Sequence, residues 1–171
     1  MERRSLEAIV RALNEAGVRY LIVGGLAVVA HGLVRFTADI DLVLDPEEAA
    51  LRKAVAALSA LGYRPRAPVE FTEFADAAKR SHWVREKGLS VFSTFSGEHR
   101  ATEVDLFVES PFDFSRAYER ADRFEVAPGL MATIVCLEDL IEMKQRAGRP
   151  QDLQDVEGLR SLKTPSELQD G

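Results

Sequence analysis

The chain has 171 residues, of which 46% are hydrophobic, and carries a formal charge of −6 with a pI near 5.2. That length supports one substantial core and falls short of two ordinary domains plus a linker. The acidic balance excludes a protein that coats nucleic acid or an anionic membrane through its overall field, and leaves room only for a local basic groove.

The first predicted element is an amphipathic helix over residues 4–16, where Leu6, Ile9, Val10 and Leu13 recur at helical spacing and Gly17 supplies the stop. This start is charged and periodic, unlike a basic head followed by an apolar run, so it does not read as a secretion signal. A strand "RYLIV" follows, then Gly24-Gly25 and a short buried helix ending near Gly32. The next strand is "ADIDLVL"; after it, Asp45 is expected to cap and Pro46 to open the helix that Gly62 closes. "YRPRAPVEF" reads as a loop. Residues 79–95 suggest a basic hairpin turning near Lys87-Gly88, and "TEVDLFVES" a compact strand. The remaining expectations are a helix in "SPFDFSRAYERA", a strand pair around Pro128-Gly129, a helix "LEDLIEMKQRAG", a last helix, and a polar tail from 161 to 171 that adds a turn capped by Thr164. Strands alternating with helices predict a single α/β (α+β) domain, residues 1–160, around one small mixed β-sheet flanked by helices.

Cys136 is the single cysteine, which excludes an intrachain disulfide framework and a cysteine zinc site; within "MATIVCL" it reads as a buried small residue, and the whole fits a reducing cytoplasm. No apolar run approaches the roughly 20 residues of a membrane span, so no membrane partner is expected.

Chemistry concentrates in "RFTADIDLVLD". Side chains two apart on a strand share a face, so Asp39 and Asp41 point one way while Ile40 and Leu42 pack on the other. Two half-buried carboxylates repel each other and resist ionisation unless a cation stands between them, and Mg2+ (or Mn2+), a hard ion held by carboxylates and substrate phosphates, suits that role. Asp105, between Val104 and Leu106, offers a third acid in the same apolar setting. Upstream, Gly24-Gly25 stands where a strand enters a helix, and there backbone amides can approach an anion closely. Its spacing fits neither GxxxxGK[ST] nor GxGxxG. A phosphate cradle beside a carboxylate cluster reads as a nucleoside triphosphate (NTP) site.

Other residues carry alternatives. His31 is either a core or capping histidine or a substrate contact. Arg35 and Thr37 could meet phosphate or orient Asp39, or simply occupy a turn. Asp152 and Asp155 would share one face of the last helix and could pair with Arg149 or Lys144 to join two helices. "KRSHWVREK" places basic side chains around His82 and Trp83, where an aromatic could stack on a base or the segment could stay wet.

The stretch "GGLAVVAHGLVRFTADIDLVL" resembles the signature of the polymerase-beta-type nucleotidyltransferase superfamily, and "HGLVRFTADIDL" with "LEDLIEMKQRAGRPQDLQD" is similar to its minimal bacterial branch associated with abortive-infection and toxin-antitoxin systems. The resemblance covers roughly residues 18–46 and 103–157; residues 62–101 match nothing in it. It implies a nucleotidyltransferase-like fold in which Gly24 and Gly25 hold the triphosphate. Asp39 and Asp41 would bind metal ions, and Asp105 would join them and act on the incoming hydroxyl. Lys144 would face the nucleotide phosphates, and Arg149, Asp152 and Asp155 follow a related pattern of less defined role. The Gly25 position carries Ser in many relatives. In the implied reaction two ions about 3.5 to 4 Å apart stabilise the attacking oxygen and the leaving pyrophosphate. The acceptor is an RNA end, favoured by the basic hairpin, or a small molecule such as an antibiotic, or a protein. A cognate antitoxin or neighbouring protein and an oligomer are the further partners, and a non-catalytic component of a toxin-antitoxin pair is the competing reading.

Overall fold

A computed structural model describes residues 1–163. Its frame is one seven-stranded mixed sheet, ordered β3-β4-β5-β2-β1-β7-β6. The strands are β1 (Tyr20–Val23), β2 (Ile40–Leu44), β3 (Tyr63–Pro65), β4 (Val91–Ser96), β5 (Val104–Phe107), β6 (Asp122–Ala127) and β7 (Leu130–Ile134). The helices are α1 (Arg3–Glu15), α2 (Gly24–Ala30), α3 (Glu48–Ala60), α4 (Ala77–Lys87), α5 (Phe114–Glu119), α6 (Leu137–Ala147) and α7 (Pro150–Lys163).

Alternation along the strands builds the core. Ile40, Leu42 and Leu44 of β2, Val104 and Leu106 of β5, and Phe92 and Thr94 of β4 are all buried. Their neighbours Asp41, Asp105, Val91, Ser93 and Phe95 are only half-buried, on the opposite face. The acids therefore stand on the less covered face of a sheet whose other face is sealed by hydrocarbon. No helix among the described residues is long and apolar enough to cross a membrane.

Four local expectations change. Residues 79–87 form helix α4 rather than the first arm of a hairpin: Asp76 Oδ1 accepts from the Ala78 and Lys79 amides at 2.8 and 3.1 Å, and Gly88 ends the helix with φ 60°. Its one buried side chain is Trp83, which stacks on Phe92 at 5.3 Å between centroids, so the indole belongs to the core and is unavailable to a base. Lys79 pairs with Glu73 at 2.9 Å and Arg80 donates to the Phe74 carbonyl at 2.6 Å, which occupies two of the basic groups. Trp83→Ala should cost about 3–5 kcal/mol, read as a lowered denaturant midpoint; an unchanged midpoint would contradict this packing.

Secondly, Tyr63–Pro65 is an edge strand rather than a loop, paired antiparallel to β4, and an edge tolerates Pro65 because its missing N–H faces away from the ladder. Thirdly, Asp45 does not cap α3. Its Oδ2 is held by Arg19 Nε at 2.8 Å and its Oδ1 accepts from the Glu47 amide at 3.1 Å, so the carboxylate closes the turn and α3 starts later, at Glu48. Finally, residues 161–163, expected in a polar tail, continue α7; the Thr164 cap lies outside the described residues.

Candidate active site

β1 runs antiparallel to β2 with Val23 opposite Asp41, and β2 runs parallel to β5 with Asp41 in register with Asp105. The Gly24-Gly25 corner, Asp41 and Asp105 thus meet where three central strands lie side by side. Gly24 has φ 65°, a conformation that an L side chain adopts only under strain, and a Cβ there would stand 2.7 Å from Asp41 Cγ and closer still to its Oδ2. The glycine is what lets the carboxylate lie against the backbone. The nearby Gly25 backbone pulls that carboxyl's pKa downward. Gly24→Ala should therefore displace Asp41, cost roughly 1–3 kcal/mol in strain and lower nucleotide binding in calorimetry; normal binding would detach the glycine from the site. At Gly25 a Cβ would meet Thr37 Oγ1 at 2.8 Å, so a Ser here would require Thr37 to move.

Burial chiefly, and then the charges of Asp105 and Asp39, push the Asp41 carboxyl up to about 6 from its usual 3.8. Asp39, just ahead of β2 and exposed, is raised in the same direction by partial burial and by Asp105 and Glu103. Asp105 Oδ1 is buried and has no hydrogen-bond partner. An orphaned carboxylate oxygen beside a second acid is chemically suited to a cation. No three Asp, Glu, His or Cys side chains among the described residues form a complete cage, so protein ligands would have to be supplemented, as Mg2+ does with water and phosphate oxygens.

Asp41 and Asp105 open into a cleft of about 700 Å3 between the exposed sheet face and the α6–α7 corner. Gly24, Gly25, Arg35, Lys144, Arg149 and Asp152 also line it. A smaller cavity of about 210 Å3, lined by Phe74, Arg80 and Glu109, contains none of the three acids.

Behind the cleft runs a buried ionic network. Lys144 Nζ lies 2.8 Å from Asp155 Oδ2 and 3.1 Å from Asp152 Oδ1, and Arg35 pairs with the same Asp155 carboxylate. Gln151 Nε2 donates to Asp155 Oδ1 at 3.2 Å. Asp152 and Asp155 therefore join α6 to α7 and both to the loop before β2. Thr37 Oγ1 donates to the Asp39 carbonyl at 3.3 Å, which fits the orienting alternative. His31 lies apart: its Nε2 is 2.8 Å from the Val135 carbonyl, its ring meets Phe124 edge-on, and it does not line the cleft. Cys136 is buried and burial raises its thiol, in line with a packing role.

Sequence reasoning missed Ser90, Ser93 and Arg66. The first two line the cleft, and Arg66 is close enough for the charges of Asp105 and Asp39 to act on it. All three lie in the segment that carries no motif; the alternation of "VFSTFS" was the available signal.

This mixed sheet, with paired acids beside a Gly-Gly corner, has the architecture of a nucleotidyltransferase fold. The chain matches over residues 5–163 the family described as "Nucleotidyltransferase of unknown function (DUF6036)" and belongs to that family. Among solved structures it is similar to the crystal structure of ANT(2")-Ia in complex with adenylyl-2"-tobramycin, with a TM-score of 0.56, 16% identity, and coverage of 94% of this chain and 88% of that one. At that identity the likeness is one of fold. No curated protein matches the chain in sequence.

Proposed function

We propose that the protein transfers a nucleoside monophosphate from an NTP to an acceptor hydroxyl, with Mg2+ or Mn2+, releasing pyrophosphate. The carrying observation is the register of Asp41 with Asp105, one strand away from a Gly-Gly corner that only a missing Cβ allows to touch Asp41. The Gly24-Gly25 backbone would lie against the triphosphate, with Arg35 and Lys144 offering positive charge from the cleft wall. Asp41 and Asp105, with Asp39 close enough for its charge to act on Asp41, would hold the cations, which would supply neutralising charge to the triphosphate and the leaving pyrophosphate. The acceptor oxygen forms a bond to the α-phosphorus as the α–β anhydride bond breaks. The hydroxyl proton would pass to the Asp105 carboxylate, which lines the cleft. Asp152 and Asp155 act through Lys144 and Arg35 as positioning residues.

The helix that replaces the expected basic hairpin withdraws the original ground for an RNA acceptor, and the adenylylated tobramycin of ANT(2")-Ia supports keeping small hydroxylated molecules in the test. Each α-labelled NTP is incubated with Mg2+ or Mn2+ and with separate pools of RNA, protein and small metabolites. Label entering one pool with the wild type and not with Asp41→Asn is expected. No label in any pool, with NTP binding intact, would reject transfer in favour of a non-catalytic component of a protein pair.

A further inference from the structure

The smaller cavity combines an apolar wall with a half-buried cation that has no counter-ion. Arg80 stands on the face of α4 that also carries Ala77, one turn earlier, and both line the cavity. Leu44, Leu51 and Phe74, all buried, supply the apolar wall. Of the Arg80 N–H donors only Nη1 is used, and it donates to the Phe74 carbonyl at 2.6 Å. The charges of Asp76, Glu48 and Glu109 act on Arg80, yet none of them forms an ion pair with it among the described residues. Asp76 is spent on the start of α4, and Glu48 is held by Arg52 at 2.7 Å. Glu109 is exposed, its side chain makes no hydrogen bond or ion pair among the described residues, and it lines the same cavity. Burial outweighs the pull of these acids and lowers the guanidinium from its usual value, which marks a cation short of counter-charge.

We propose that this cavity binds a small apolar α-amino acid as its zwitterion, with the carboxylate on Arg80, the ammonium on Glu109 and the side chain against Leu51 and Phe74. A guanidinium is a planar fork that takes a carboxylate on paired N–H groups, and the unused donors of Arg80 are open to one. Glu109 brings the opposite sign to the same cavity, so an ammonium finds a partner there, while a ligand with a carboxylate alone meets a like charge. Volume narrows the class further. About 210 Å3 corresponds to roughly seven water-sized groups and falls below the roughly 300–1,000 Å3 of drug-sized sites, which suits a branched aliphatic amino acid and excludes a nucleotide. The site does not depend on the transfer reaction, although it adjoins the cleft: Phe107, two residues beyond Asp105 on the same face of β5, lines both.

The test is calorimetric titration of the full chain with L-leucine, beside 4-methylpentanoate, which lacks the ammonium, and 3-methylbutylamine, which lacks the carboxylate. Leucine is expected to bind at a single site, and each analogue at least tenfold more weakly. Arg80→Gln should weaken leucine binding at least tenfold. Glu109→Gln should erase the advantage of leucine over 4-methylpentanoate. Ala77→Leu, which fills the cavity and keeps both charges, should abolish binding. Thermal melts verify that each variant is folded, and Glu109→Gln, at an exposed position, serves if the Arg80 and Ala77 variants are not. Absent leucine binding to the wild type, or unchanged binding in a folded Arg80, Ala77 or Glu109 variant, would overturn the proposal. So would 4-methylpentanoate or 3-methylbutylamine binding the wild type as tightly as leucine.

Discussion

Asp41→Asn should make the metal-free protein more stable at pH 8 and lower nucleotidyl transfer on the order of a thousandfold. The stability gain follows from linkage. In the folded chain the Asp41 carboxyl is pushed up to about 6, against 3.8 for the ordinary group. Between those values the folded chain keeps a proton that the unfolded chain has released. The extra stability is therefore fully present below about pH 4, declines as pH rises, and is lost above about pH 6. The two-unit difference corresponds to roughly 2–3 kcal/mol. An amide at this position is neutral throughout, so the variant should show little change at pH 4 and most of that gain at pH 8, in melts run with a chelator. Added Mg2+ should stabilise the wild type above pH 6 and leave the variant nearly unmoved. Equal pH profiles for both proteins would show that Asp41 does not carry the strained charge.

Lys144→Met should be the most destabilising single change near the cleft. Lys144 is 6% exposed and its ammonium is shared by Asp152 and Asp155, the latter 1% exposed. Removing the cation leaves Asp155 to Arg35 and the Gln151 amide, and leaves Asp152, whose Oδ2 is already buried without a partner, uncompensated. Breaking a buried pair from one side costs about 3–5 kcal/mol, which at this chain length lowers the melting temperature by roughly 10 °C. Asp152→Asn in the same chain should recover part of the loss, with a coupling of about 0.5–3 kcal/mol. High salt should leave the difference in place, since buried charges are poorly screened. Additive effects of the two substitutions would mean that the network is not a unit. Lys144 also pulls the Asp41 carboxyl downward, so its removal should weaken the nucleotide site even in molecules that remain folded.

The central part of the candidate site was legible because local chemistry encodes it. "ADIDL" interrupts an apolar strand with acids two apart, and strand period alone forces them onto one face. The Gly pair at the end of "YLIV" announced a close backbone approach, and Gly24 proved to need both its left-handed φ and its missing Cβ. "LEDLIEMKQRAG" showed its helix through periodicity and a Gly stop, and Gly148 indeed ends α6 with φ 63°. The reading of Asp152 and Asp155 as a clamp between helices followed from their shared face.

The sequence by itself thus determined the mixed α/β character, the acid pair and the glycine corner, since each depends on residues within a few positions of one another. What only the tertiary structure decided depends on partners far apart in the chain. The register of Asp41 with Asp105 is set by how β2 and β5 bury Ile40, Leu42, Val104 and Leu106, not by either segment alone. Arg35 meets Asp155 across the whole domain because the α6–α7 corner folds over the loop before β2. The segment from β3 to β4 stayed unreadable for a physical reason: α4 buries only Trp83 and so shows no apolar stripe, while β4 mixes Ser and Thr into its buried face. Only packing against Phe92 and pairing with β5 makes that segment the extension of the sheet, and only then does Arg66 come within reach of the charges of Asp105 and Asp39.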